Sequence, residues 1–261
     1  MAVKDELGTR LKENYENRAK TSLTRRMPVA LRIDGKAFHT FTKGFRKPFD
    51  EVLMKSMQQT MAYLCQNIQG CVFGYTQSDE ITLLLVDYQK LTSSAWFDYE
   101  VQKMCSISAS MATMAFNRIF AEQVRSWAIS TKNKTDDDCK YFATLEKALE
   151  KGAMFDARCF NIPKEEVNNL VLWRQQDASK NSIQMVARCY FTDSELKGKN
   201  TKVMQEMIYQ KANINWNDFP IPCKRGTACR KTEDGWVMDY EMPKLNEDTD
   251  YVNSLIYVGE D

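Results

Sequence analysis

Histidine is almost missing from this chain: His39 is the only one in 261 residues. Zinc sites with histidine ligands are thereby nearly excluded, and a Ser-His-Asp or Cys-His hydrolase would have to run on His39 alone. Net charge is scarce as well, +1 from 36 basic and 35 acidic residues. Proteins that grip long duplexes non-specifically are more basic than this, so any nucleic-acid contact has to be a local patch. No apolar run approaches the roughly 20 residues of a membrane span. Residues 1–12 are charged and lack an apolar centre, so we expect no signal peptide and a cytoplasmic location. There is no C-x-x-C pair among the eight cysteines (Cys65, Cys71, Cys105, Cys139, Cys159, Cys189, Cys223, Cys229). Scattered in this way they read as reduced thiols, many of them buried. What remains is an ordinary soluble composition, 43% hydrophobic and 27% charged, long enough for one or two domains.

Periodicity organises the chain. A largely charged helix is expected over residues 4–21, either lying on the surface or packing through Leu7, Leu11 and Tyr15. Pro28 punctuates, 29–33 reads as a first strand, and 40–47 as a polar loop containing Gly44. Asp50 is placed to cap a helix whose Leu53, Met57, Met61, Leu64 and Ile68 recur at helical spacing and which Gly70 ends. Residues 71–75 and 81–86 read as strands of a hairpin with 76–80 at its tip. A second long helix is expected over 97–127, with Met104, Ile107, Met111, Ala115 and Ile119 on one face and small residues that permit close approach to a sheet. Residues 131–138 read as a polar loop with the strongest claim to disorder. A fourth strand is expected at 155–160, a third helix from Pro163 through Trp173 and Arg174, and a strand pair around 227–231 and 236–240. The order β-α-β-β-α-β is the ferredoxin-like, split β-α-β arrangement that also underlies polymerase palms. The fold expected is therefore α+β, an antiparallel sheet with packed helices. A palm-like unit would cover 1–160, and a helical and short-strand region, 161–261, would pack on it.

Two of the apolar runs end in acids. Val29-Ala30-Leu31 leads to Asp34 within Arg32-Ile33-Asp34-Gly35, and Cys71-Val72-Phe73 leads to Asp79 within Gln77-Ser78-Asp79-Glu80. Neighbouring strands joined by one helix bring these carboxylates together. At about 4 Å and an effective dielectric near 20, two like charges repel by roughly 4 kcal/mol. Such a pair needs a proton or a divalent cation, which is how Mg²⁺ sites for phosphate chemistry are built. A single strand-end Asp more often merely starts a turn; two on adjacent strands point to a metal. Asp34 and Asp79 are the candidate ligands, and the Gly35 carbonyl could join them. The amides of Lys36, Ala37, Phe38 and His39 form a turn able to cradle a triphosphate. Glu80 alternates to the other face of a regular strand, yet near a tight turn it could serve a second metal, and Ser78 could donate to a phosphate. Phe38 and Phe41 divide evenly between stacking on a base and core packing, and His39 suits a structural or substrate-contacting role better than that of a base. Arg25-Arg26, Lys197 with Lys199 and Lys202, Lys224-Arg225 and Arg230-Lys231 are individually solvated surface and together permit a local RNA track. Asp136, Asp137 and Asp138 are consecutive and do not converge on an ion.

These motifs resemble the tRNA-histidine guanylyltransferase family: Arg25-Arg26-Met27-Pro28-Val29 ahead of Arg32-Ile33-Asp34-Gly35, then Ala37-Phe38-His39-Thr40-Phe41-Thr42, Lys47-Pro48-Phe49-Asp50 and Gln77-Ser78-Asp79-Glu80. Phe116-Asn117, Phe155-Asp156-Ala157-Arg158, Trp173-Arg174-Gln175-Gln176-Asp177-Ala178, Asn181-Ser182, Trp216-Asn217-Asp218 and Lys224-Arg225-Gly226 extend the resemblance over nearly the whole chain. It implies a 3′-to-5′ nucleotide polymerase acting on the 5′ end of tRNA. In that family ATP activates a 5′-monophosphate, and the 3′-hydroxyl of an incoming nucleoside triphosphate attacks the activated end. The resemblance also implies two Mg²⁺ ions held by Asp34, the Gly35 carbonyl and Asp79 with help from Glu80, ATP and GTP as substrates, and a homotetramer. Nucleotide would lie along Asp34 to His39 and against Ser78 and Asp79. Where eukaryotic members carry a histidine and further asparagines after the Trp-Arg-Gln-Gln-Asp segment, this chain has Ser179 and keeps only Asn181. That departure resembles the bacterial-type members, which prefer template-directed repair of 5′-truncated tRNA to non-templated addition of G. A palm-type nucleotide cyclase and a non-catalytic RNA-binding module stay open as readings of other classes.

Overall fold

The apolar run ahead of Asp34 becomes β1 (Val29–Gly35), in which Val29, Ala30, Leu31 and Ile33 have no exposed surface. A strand apolar on both faces has to lie inside a sheet covered on both sides, and that is its position in the computed structural model, which describes residues 5–131 and 135–257. With β2 (Cys71–Gln77), β3 (Glu80–Leu85), β4 (Phe155–Asn161), β5 (Thr227–Thr232) and β6 (Gly235–Asp239) it forms a six-stranded sheet in the order β4-β1-β3-β2-β5-β6. Every neighbouring pair is antiparallel. The first four strands reproduce the expected split β-α-β order. The expected strand pair in the C-terminal part joins the free edge of β2, so the sheet runs across the position 160/161.

Ten α-helices surround the sheet among the described residues: α1 (Glu6–Leu11), α2 (Phe38–Phe41), α3 (Glu51–Asn67), α4 (Val101–Ser130), α5 (Asp136–Lys151), α6 (Lys164–Ala187), α7 (Asp193–Leu196), α8 (Thr201–Ala212), α9 (Ile221–Arg225) and α10 (Asp250–Ile256). Asp50 caps α3 as expected, accepting the Leu53 N–H at 3.0 Å. Met57, Met61 and Leu64 then face β1 and β3 together with Phe116 and Phe120 of α4, each burial contributing about 1.5–3 kcal/mol. Gly70 turns α3 into β2 at φ +79, where a Cβ would sit 2.7 Å from the Val86 carbonyl. On the opposite face Ala30, Val72 and Leu84 pack against Val167, Leu170 and Val171 of α6 and Val252 of α10. A third, smaller core joins Ile183 and Val186 of α6 to Met204 and Ile208 of α8.

Three expectations are corrected. The segment 131–138 is not a loop throughout. Residues 132–134 lie outside those described, and Thr135 and Asp138 form a capping box that starts α5, which buries Tyr141, Leu145 and Ala148. The long helix begins at Val101, because Phe97, Asp98 and Tyr99 all adopt left-handed φ between 51 and 57, which an α-helix does not admit; Ile107 on its expected inner face is 38% exposed. The N-terminal helix is not one continuous α-helix: it passes through a π turn (Lys12–Glu16) and a 3-10 turn (Asn17–Ala19), and of the two expected placements it takes the surface one, with Leu7, Leu11 and Tyr15 exposed.

Candidate active site

Register assembles the acids. Asp34 lies directly opposite Glu80 of β3 and opposite Asp156 of β4, and residues facing each other across a ladder share a face of the sheet. Asp79 stands one step earlier, in the hairpin turn, where Ser78 takes φ 56. Its carbonyl accepts the Gly35 N–H at 3.0 Å, tying the turn to the end of β1. Gly35 has to be glycine, since a Cβ would lie 2.2 Å from the Phe38 ring. Burial first, and then the charges of Asp79, Glu80 and Asp156, push the Asp34 carboxyl above the usual carboxylate range against the pull of Arg158. Burial also pushes Asp79 up, and Glu80 adds to it, while the Ser78 hydroxyl, donating to Oδ1 at 2.8 Å, works the other way. The two acids sequence pattern singled out are thus mutually repelling neighbours.

Glu80 has a different environment. Its Oε1 accepts both Nε (2.8 Å) and Nη2 of Arg32, and its Oε2 accepts Nη1 of Arg174 at 2.8 Å. The Arg174 side chain is 9% exposed, lies 3.6 Å from the Trp173 ring centroid, and reaches Asp177 at 3.3 Å. Glu80 therefore belongs to a clamp linking β1, β3 and α6, and it reaches Asp34 and Asp79 as a like charge.

Beside the acids opens a cavity of about 620 Å³ lined by Gly35, Ala37, Phe38, His39, Ser78 and Asp79, by Asn181, Gln184 and Met185 of α6, and by Arg188, which caps that helix. Thr42, Phe45, Arg46, Lys47, Pro48, Asp50 and Leu53 complete its walls. The Lys36 amide, expected in the cradle, instead donates to the Met154 carbonyl at 2.8 Å. Phe38 and Phe41 are 4% and 5% exposed within a cluster with Phe45, Phe116, Phe120 and Phe155. Core packing thus decides their role, and Phe41 has no face left for a base. His39 is exposed, 3.0 Å from the Thr40 hydroxyl. Among the expected RNA contacts, Asn181 lines the cavity, Lys197, Lys199 and Lys202 are exposed around the α7–α8 turn, and Lys224 gives its ammonium to the Asn217 carbonyl. Arg225 is partly buried, 3.4 Å from the Met242 carbonyl.

The sequence reading missed Arg46 and Arg188 as cavity walls. Arg188 had a signal: 181, 184, 185 and 188 are spaced i, i+3, i+4, i+7 and share one face of a helix. Among the described residues no three His, Cys, Asp or Glu side chains converge to hold an ion unaided. Two hard carboxylates and a backbone carbonyl fit a cation that completes its shell with water and substrate phosphate, the habit of Mg²⁺.

The sheet order and the paired acids at the strand ends define a palm-like α+β protein. Residues 9–163 match the family described as Thg1: tRNAHis guanylyltransferase; that is more than half of the chain, and the chain belongs to this family of nucleotidyltransferases. It is similar to a bacterial tRNA(His) guanylyltransferase (Thg1)-like protein solved in complex with ATP, with 43% identity, TM-score 0.83 and coverage of 97% of this chain and 100% of that one. A structure of a bacterial Thg1-like protein in complex with GTP gives 38% identity and TM-score 0.73 over the same shares. The tRNA(His) guanylyltransferase of Saccharomyces cerevisiae is 26% identical over 220 residues, 78% of this chain and 83% of the yeast protein.

Proposed function

We propose that the protein adds nucleotides in the 3′-to-5′ direction to the 5′ end of truncated tRNA, choosing each one by pairing with the opposite strand of the acceptor stem. The observation that carries this reading is the repelling pair Asp34 and Asp79, with Asp79 lining a 620 Å³ cavity whose other walls include His39, Arg46, Lys47 and Arg188. Acids with Lys47 on the same cavity wall suit a polyphosphate bound through a divalent ion. Asp34, Asp79 and the Gly35 carbonyl would hold two Mg²⁺ ions, which when bound supply charge neutralisation and an activated attacking hydroxyl. The Ser78 hydroxyl orients Asp79, and the clamp of Glu80 with Arg32 and Arg174 holds β1, β3 and α6 in register around the acids. The turn Ala37–His39 and Lys47 position the phosphates. ATP or GTP transfers its nucleoside monophosphate to the 5′-monophosphate with release of pyrophosphate, and the 3′-hydroxyl of the incoming triphosphate then attacks that activated phosphorus, losing its proton and expelling AMP or GMP.

Leu53, Phe45 and Met185 offer the base apolar contact, with Asn181 and Gln184 also on the cavity wall. Ser179, standing where eukaryotic members carry histidine, supports template-directed choice: its hydroxyl shares its one proton between the Gln175 and Lys224 carbonyls, at 3.0 and 3.1 Å, and does not line the cavity. The reading includes a cytoplasmic homotetramer. The test offers a tRNA lacking its 5′ nucleotide, ATP, Mg²⁺ and each labelled triphosphate separately. Incorporation only of the base complementary to the opposite strand is the expected result. Addition of G whatever the template would replace this reading with non-templated extension, and a cyclic nucleotide formed without RNA would replace it with a cyclase.

A further inference from the structure

On α8, Lys202, Gln205, Glu206 and Tyr209 recur at i, i+3, i+4 and i+7, so they share one face. With Asn215 and Trp216 they line a groove of about 440 Å³. Tyr209 is 53% exposed, and among the described residues its ring stacks on no other. Trp216 is held in place: its indole N–H donates to the Ser182 hydroxyl at 2.9 Å, and its ring packs partly against the core between α6 and α8. Lys197, Lys199 and Lys202 are exposed beside this face and have no ion-pair partner among the described residues. The Lys224 ammonium lies 5.9 Å from the Trp216 ring centroid. Among the residues lining the groove Glu206 is the one carboxylate, and it accepts a hydrogen bond from Gln210 at 2.7 Å.

We infer that this groove binds the unpaired 3′ nucleotides of the tRNA, with a base stacked on Tyr209 beside Trp216. The inference rests on the proposed function and extends it to the other strand end. Lysines beside open aromatic rings suit a single strand, because only an unpaired base presents its faces for stacking. The lysines favour a polyanion over an apolar protein partner. Location selects the 3′ tail. Ser182, which holds Trp216, follows Asn181, which lines the catalytic cavity. Consecutive helical residues point about 100° apart, so the cavity and the Ser182 anchor of Trp216 lie on adjoining flanks of α6. A tRNA whose 5′ end reaches Asp34 and Asp79 brings its unpaired 3′ end to that flank. A pre-fixed indole also loses little freedom on stacking.

The test measures binding of fluorescently labelled tRNA, intact or trimmed of its unpaired 3′ nucleotides, to the wild-type protein, Tyr209→Ala and Tyr209→Phe. Tyr209→Ala is expected to weaken intact tRNA by about fivefold to a hundredfold, the range for loss of one stacked base, with Tyr209→Phe close to wild type. Trimmed tRNA should bind the wild type more weakly and bind all three proteins alike. The inference is overturned if Tyr209→Ala binds intact tRNA normally, or if it weakens intact and trimmed tRNA equally. Nucleotide addition to a 5′-truncated tRNA is scored alongside. Tail-dependent binding without addition sinks the functional reading and leaves the groove standing, whereas addition without tail dependence does the reverse.

Discussion

Burial raises the pKa of the Asp79 carboxyl, with Glu80 adding to it, and burial together with Asp79 does the same to Asp34. A carboxyl whose folded-state pKa exceeds its unfolded value holds its proton longer in the native state. The native protein then binds more protons, and stability falls as pH rises from the ordinary 3.8 through the raised values. At neutral pH, without cations, the acid pair is therefore a source of strain that a divalent ion relieves. In chelator, Asp79→Asn is expected to raise the melting temperature. A gain on the order of 1 kcal/mol corresponds to about 2–4 °C for a chain of this size. Mg²⁺ should raise the wild-type melting temperature more than that of the variant. Nucleotide addition by the variant should fall by about 10³-fold or more, since several kcal/mol of charge stabilisation are lost. Thermal scans with and without Mg²⁺ check this, and a variant less stable than wild type in chelator would refute it.

At the scale of elements, α6 is the member that joins everything at the site. Along one side it carries Arg174 and Asp177 beside Glu80, then Asn181, Gln184 and Arg188 beside the cavity. Its hold on the hairpin passes through Glu80, which two arginines share. Glu80→Ala would leave Arg174, 9% exposed, with Asp177 as its remaining acidic partner. Breaking a buried pair costs about 3–5 kcal/mol; with Glu80 itself partly exposed, about 2 kcal/mol is expected, a loss of roughly 4–8 °C. Calorimetry on Glu80→Ala and Glu80→Gln checks it, and an unchanged melting temperature would limit Glu80 to the metal site. This clamp was hard to see in sequence because it depends on register: Arg32 and Glu80 are 48 residues apart and meet only when β1 and β3 pair. By contrast β1, α3 and the hairpin were legible, each carried by a local apolar period and a cap or glycine at its end. Helix α5 was hidden by its own signal. The acidic run at Asp136, Asp137 and Asp138 looks like loop chemistry, yet Thr135 with Asp138 is a capping box, and acids in a first turn favour the helix dipole. The aromatic cluster behind the cavity was ambiguous for a different reason: nothing local says whether Phe38 and Phe41 turn toward α4 or toward a ligand.

For the whole molecule, a net charge of +1 means that affinity for a polyanion cannot come from a global field. It has to come from where the cations are left unpaired. Arg32 and Arg174 are committed to Glu80, Arg46 to Asp138, and Lys224 to a carbonyl, whereas Lys197, Lys199 and Lys202 stand exposed together around the α7–α8 turn. The acceptor end of a tRNA is thus expected to be gripped over a short stretch, with catalytic acids at one end and these lysines at the other. Each phosphate contact removed lowers the slope of log affinity against log salt by about 0.7 for a single strand and about 0.9 for a duplex. Replacing Lys197, Lys199 and Lys202 together by alanine should therefore flatten that slope by roughly 2–3 and weaken tRNA at low salt far more than at high salt. The base selected at the 5′ end should not change, because phosphate contacts position a strand without reading it. Binding isotherms at several salt concentrations, paired with single-nucleotide addition assays, measure both quantities. An unchanged slope would mean that these lysines are solvated surface, and an altered base preference would mean that the protein itself, beyond the template strand, reads the incoming nucleotide.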